Sequence, residues 1–199
     1  MQFHLNQFYH IYNRGNNSQQ IFFNRENYLF FLRKIEYLVK PFCEIVAYCL
    51  MPNHYHWLIY TDEKVFWNKV NSRSNLDGSV LARKIGTLQS SYTQAINNQE
   101  NRTGSLFQQK SKAKLLSEDD QPYICFNYIH QNPLVAGLVK KMEDWNYSSY
   151  GVYAGTRDDT LINRNIAYHF IGISDRPEKF MYFSSEVIGE EKVKKIYRL

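Results

Sequence analysis

The chain is short of cysteine, of acidic charge in one long stretch, and of any extended apolar run, and each shortage excludes a class of protein. Cys43, Cys49 and Cys125 are odd in number, lack Cys-x-x-Cys spacing and sit in apolar stretches. That pattern excludes a disulfide scaffold or zinc ribbon and predicts buried thiols. Nowhere do eighteen apolar residues run together, so no membrane-spanning helix is expected. The first residues, Met1-Gln2-Phe3-His4-Leu5-Asn6, are mixed rather than charged and then apolar. No secretory leader is therefore expected, and the location implied is cytoplasmic. No internal repeat is visible.

What is present describes a globular chain. Its 199 residues, 44% hydrophobic and 22% charged, suit one domain of ordinary size with its own core. The net charge of +5 and the pI near 9.0 favour a polyanionic partner. Distribution says more than the total. From Arg102 to Lys114 there is no acidic residue, and Lys110, Lys112 and Lys114 alternate as on one strand face. Such a stripe tracks phosphates, or equally guards an exposed strand edge against aggregation. The 16 tyrosines add possible stacking platforms for unpaired bases, although most belong to the core.

The order of elements is readable. Residues 7–14 form a first strand. From Asn24, a good N-cap, apolar residues at 28, 31, 32, 35, 38 and 39 keep a helical period that ends before Pro41. Phe42 to Leu50 is apolar on both faces, as in a strand inside a sheet, and Met51-Pro52-Asn53 turns it into a strand over 54–60. Residues 61–79 are polar and read as a long exposed loop. Leu81, Ile85, Leu88, Tyr92 and Ile96 mark a second amphipathic helix, 105–115 a fourth strand, and Ser117, Asp119 and Asp120 the start of a third helix. Strand-helix-strand-strand-helix-strand is an α+β, ferredoxin-like plan: an antiparallel sheet with helices on one face and the other face free. The domain spans 1–155, and 156–199 is a charged C-terminal extension.

The chemistry concentrates in two segments. His54 and His56 are two apart on a strand, so they share a face, which suits half of a divalent metal site or, equally, two solvent-facing or hydrogen-bonded rings. Tyr55, Trp57 and Ile59 on the other face should pack under the helices, which leaves the histidines on the free face, and the third helix must cross to that side for the site to close. Tyr128 and Asn132 lie four apart on the third helix, which Pro133 should end, so a phenol and an amide oxygen able to act as a third ligand share one side. Several choices stay open here. Tyr123 or Tyr147 could serve as nucleophile as readily as Tyr128, His130 is a rival ligand on another side of the helix, and Asn132 can be a mere helix-end residue. Arg14, at the end of the first strand, is placed to hold a phosphate.

Together, His54-Tyr55-His56 and Tyr128-Ile129-His130-Gln131-Asn132-Pro133 resemble the single-tyrosine HUH transposases, above all their REP-associated branch. Tyr12-Asn13-Arg14-Gly15, Gly104-Ser105-Leu106-Phe107-Gln108, Leu134-Val135-Ala136-Gly137-Leu138-Val139 and Trp145-Asn146-Tyr147-Ser148-Ser149-Tyr150 extend the resemblance, in family order, over residues 8–155. The chain departs from the pattern at Lys110 and Lys112, where relatives often carry arginine and an aromatic residue, and at Tyr147, which replaces a common tryptophan. The resemblance implies a DNA transposase or nickase in which Tyr128 attacks the strand and keeps its 5′ phosphate. His54, His56 and Asn132 would hold Mg²⁺ or Mn²⁺, and Arg14, Arg102, Lys110, Lys112 and Lys114 would bind DNA. Single-stranded, hairpin-forming DNA is the implied substrate, with a monomer favoured and a homodimer possible. Two other functions fit parts of the pattern: a non-catalytic single-strand binder with an RRM-like sheet, and a hydrolytic nuclease leaving no covalent adduct.

Overall fold

The computed structural model describes residues 2–62 and 79–197. The polar loop expected over 61–79 therefore lies almost wholly outside the described residues. Four strands, β1 (Phe8–Arg14), β2 (Glu44–Met51), β3 (His54–Tyr60) and β4 (Lys112–Leu116), form one antiparallel sheet in the order β2-β3-β1-β4. The expected hairpin is β2-β3, turning through Pro52 and Asn53. Among the described residues no helix is long and apolar enough to cross a membrane.

Helices α1 (Arg25–Lys34) and α2 (Ser79–Gln99) cover one face. Asn24 caps α1 through a reciprocal pair in which its side chain accepts from the Asn27 backbone and Asn27 returns the bond. A π-turn over Ile35–Val39 carries the helix to Pro41. Tyr28, Phe31, Ile35 and Val39 from α1 and its extension, and Leu81, Ile85, Leu88, Tyr92 and Ile96 from α2, meet Tyr9, Ile11, Tyr55, Trp57 and Ile59 of the sheet in one buried cluster. The period-3.6 and period-2 patterns thus bury the residues they single out. Full burial of each large side chain contributes about 1.5–3 kcal/mol.

The other face is not open. It carries α3 (Gln121–Val135), which packs on β2 and β3, and the later helices α4 (Tyr150–Tyr153), α5 (Arg164–Ile166), α6 (Pro177–Ser184) and α7 (Glu190–Ile196). Phe8, Ala47, Cys49, Leu58 and Leu116 point to this side and need a cover, which explains the second layer. A bulge between Ile45 and Ala47 lets both Val46 and Ala47 face it. All three cysteines are buried and free.

Three further boundaries differ from expectation. β2 is an edge strand, yet buried, because an irregular segment closes its edge: the Leu50 N–H donates to the Tyr147 carbonyl and the Ser149 N–H to the Tyr48 carbonyl, both at 2.9 Å. The fourth strand is confined to Lys112–Leu116, since the positive φ of Gly104 and the irregular course of 104–111 leave only an isolated bridge between Phe107 and Gly15. Pro133 does not end α3, which runs to Val135. A proline in the final turn removes only one helical bond, and the Asn132 amide adds one by donating to the Tyr128 carbonyl at 2.8 Å.

Candidate active site

Pairing of β1 with β3 assembles the site. Arg14 stands opposite His54 and Tyr12 opposite His56, and in an antiparallel pair opposite residues share a face. Gly15 follows Arg14 because a Cβ there would collide with the Gln19 carbonyl oxygen; the chain turns tightly and its N–H donates to the Asn53 carbonyl at 2.8 Å. The turn before His54 and the end of β1 are thereby locked together.

On this face α3 lays Tyr128 over the histidines. The Tyr128 and His56 ring centroids are 5.3 Å apart, edge to face, and those of His54 and His56 are 5.0 Å apart. Asn132, one turn on, interacts with both His54 and Tyr128. Arg14, His54, Tyr128 and Asn132 line one cleft of about 550 Å³ together with Asn53 and Tyr197. The structure separates Tyr128 from its rivals. Tyr147 stacks on Tyr28 at 3.7 Å, and Tyr123 lines a different cavity beside α6. His130 is buried among Phe126, Tyr150, Tyr153 and Phe180 with its Nε2 2.7 Å from the Ser149 hydroxyl.

The electrostatics follow from burial. Desolvation, then the charge of Arg14, lowers the His54 pKa to about 4, against the support of Asn132. Burial lowers His56 well below the usual imidazole value, with the neighbouring His54 and His10 adding to the shift. Both rings are therefore neutral at pH 7, the state in which imidazole ligates metals. Burial raises the Tyr128 phenol above its ordinary value, Tyr197 adds to the rise and Asn132 opposes it. Unaided, this hydroxyl is a poor nucleophile.

Whether the residues suit a divalent ion can be asked of individual atoms. His56 Nε2 is buried with no hydrogen-bond partner. His54 Nδ1 lies 2.6 Å from the Asn53 amide oxygen, so the proton is on Nδ1 and Nε2 is bare. Asn132 donates through its nitrogen to the Tyr128 carbonyl, and its side chain also engages His54. Two neutral imidazoles and a side-chain amide suit Mn²⁺ in affinity better than Mg²⁺, which prefers oxygen ligands. Among the described residues no group of three or more His, Cys, Asp and Glu side chains could hold a metal ion, so a cation here would depend on the Asn132 amide as a ligand.

No family model matches the chain. Over 119 residues it is 28% identical to a Haemophilus influenzae protein named "Putative REP-associated tyrosine transposase". The aligned part is 55% of this chain and 60% of that protein, so the match spans about three-fifths of the relative's length. A solved structure described as a REP-associated tyrosine transposase bound to a REP hairpin superposes with a TM-score of 0.55. It is 15% identical, and the match covers 82% of this chain and 94% of that one. The chain resembles the REP-associated tyrosine transposases. The structural likeness fixes the α+β fold.

Against that resemblance, the basic residues divide. Lys112 and Lys114 stand opposite Tyr12 and His10, on the face that carries Tyr128, and the Lys112 ammonium lies 5.8 Å from the Tyr12 ring centre. Arg102 and Lys110 instead line a separate groove of about 700 Å³ beside α2, with Gln89 and Asn97. The expected single stripe is thus two patches, because β4 begins only at Lys112.

Residue-level reasoning missed His10, Asn53 and Tyr197. His10 had a signal: alternation along β1 puts it on the same side as Tyr12 and Arg14. Tyr197 had none, since only tertiary folding brings it to the His56 ring, 4.9 Å between centroids.

Proposed function

We propose that this chain is a REP-associated tyrosine transposase that cleaves and rejoins single-stranded, hairpin-forming DNA through a covalent 5′-phosphotyrosine at Tyr128. One observation carries the reading: Tyr128, which lines the cleft together with His54, Asn132 and Arg14, lies over His56, whose buried Nε2 behind the cleft wall has no partner. Arg14 would bind the phosphate before the scissile bond, and Lys112 and Lys114 would guide the strand along the same face. The Tyr128 oxygen attacks phosphorus, the bond to the 3′ oxygen breaks, the phenolic proton is lost and the departing 3′ oxygen gains one. One phosphodiester replaces another, so the reverse attack rejoins strands without a further energy source. Bound by His54, His56 and Asn132, Mg²⁺ or Mn²⁺ would draw charge from the phosphate oxygens and stabilise the developing negative charge. Asn132 also hydrogen-bonds the Tyr128 hydroxyl.

The cleft is complete within one chain, since α3 packs on its own sheet; this supports a monomer. An RRM-like binder would need an open aromatic sheet face, and α3 and α7 cover it here. The test uses 5′- and 3′-labelled hairpin oligonucleotides with Mn²⁺ or EDTA on a denaturing gel. A metal-dependent protein–DNA band absent from Tyr128→Phe supports the proposal. Free cleaved ends without that band, persisting in Tyr128→Phe, would replace it with hydrolysis.

A further inference from the structure

His10 is fully buried in the middle of β1 and takes no part in the chemistry described above. Its ring stacks on that of His56, 5.0 Å between centroids, and it makes two hydrogen bonds. Nδ1 lies 2.9 Å from the carbonyl oxygen of Ile196, the last residue of α7, and Nε2 lies 2.9 Å from His56 Nδ1. These contacts fix protons in one direction.

A carbonyl oxygen can only accept, so His10 Nδ1 carries a hydrogen. The Ile196 carbonyl is among those a helix leaves unpaired at its C-terminal end, and His10 satisfies it. With no carboxylate acting on it among the described residues and no exposure, His10 holds a single proton, and its Nε2 is an acceptor. The hydrogen in the contact between the two histidines then belongs to His56 Nδ1. His56 Nε2 must be bare, and it is the atom that is buried without a partner. A protonated nitrogen would be a donor left unsatisfied in the core, whereas a bare one awaits a cation.

We propose that His10 is a positioning residue: anchored by the Ile196 carbonyl, it holds His56 in the Nδ1–H tautomer and aims Nε2 at the divalent cation. This rests on the metal reading given under Proposed function and deepens it. His54 reaches the same state through Asn53, so the two rings offer matching nitrogens by separate means. The relay also gives α7 a task in the site, because it supplies the terminal acceptor.

Two readouts test this. The first is a long-range ¹H–¹⁵N spectrum of the metal-free, full-length protein, which reports histidine tautomers without any catalysis. His56 should carry its proton on Nδ1. The second is Mn²⁺ affinity, followed by the electron paramagnetic resonance of free Mn²⁺, in wild type, His10→Leu and His10→Gln. His10→Leu should weaken Mn²⁺ binding roughly 10–100-fold. His10→Gln, whose amide oxygen can accept from His56, should restore affinity to within a few-fold of wild type. A wild-type His56 with its proton on Nε2 overturns the proposal, as does a folded His10→Leu that binds Mn²⁺ as tightly as wild type. If His10→Leu does not fold, the wild-type spectrum and His10→Gln decide. A wild type with the expected tautomer that binds no Mn²⁺ at millimolar concentration overturns the metal reading itself, and the cation-directing role with it.

Discussion

Lowering the pH should unfold this protein well before its carboxylates are neutralised, because its core holds neutral imidazoles. Burial lowers the pKa of His10 and His54 to about 4 and that of His130 to about 3, from an ordinary 6.5. The folded state therefore refuses protons that the unfolded chain accepts below pH 6.5. Stability is fully present above 6.5 and is lost as pH falls toward the folded values. Each histidine costs about 1.4 kcal/mol per pH unit in that window. At pH 5 the three together cost about 6 kcal/mol, comparable to the ~5–15 kcal/mol that holds a typical domain together. His56 is lowered as well and adds in the same direction. Urea denaturation followed by tryptophan fluorescence, repeated from pH 7 down to pH 5, measures this directly. A slope of about 4 kcal/mol per pH unit below pH 6 is expected. A loss below about 1.5 kcal/mol over the whole range would refute the reasoning, since it would mean these rings exchange protons with solvent in the folded state.

Other expectations are independent of that one. Tyr128→Phe should abolish the covalent adduct while leaving hairpin affinity within about twofold and stability within about 1 kcal/mol, because only one hydroxyl is removed. Phe31→Ala should destabilise by about 3–5 kcal/mol in the same denaturation assay, since Phe31 is fully buried between α1 and the sheet. Asn24→Ala should cost about 1 kcal/mol by removing one half of the α1 cap. Arg14→Ala should weaken binding of single-stranded hairpin DNA and reduce the salt dependence of that binding by about one phosphate contact, read from affinities over a range of salt concentrations.

Periodicity made most of the fold legible. Tyr55, Trp57 and Ile59 alternate with His54 and His56, so strand, faces and core followed from one heptapeptide, and the 81-85-88-92-96 spacing placed α2. What escaped local reading was what tertiary contacts decide. The burial of β2 comes from Tyr147 and Ser149 pairing to its edge, and a strand apolar on both faces reads the same whether a ladder or a loop closes it. The second face looked free but for the tyrosine helix, because the rest of its cover lies in helices from residue 150 onward, whose apolar positions are too sparse to announce a layer. The site was half legible. The spacing of Tyr128 and Asn132 follows from the helical repeat, whereas the bond from His10 to Ile196 joins residues 186 positions apart and leaves no mark on either local sequence.

The central claim is that Tyr128 itself becomes bonded to DNA. Wild-type protein incubated with a hairpin oligonucleotide and Mn²⁺, digested with nuclease and then trypsin, should yield a peptide containing Tyr128 that carries a phosphodeoxynucleotide, sequenced by tandem mass spectrometry. Modification of that tyrosine alone is the predicted result. A phosphodeoxynucleotide on Tyr123 or Tyr197 instead, or cleaved DNA with no modified tyrosine, would contradict the account.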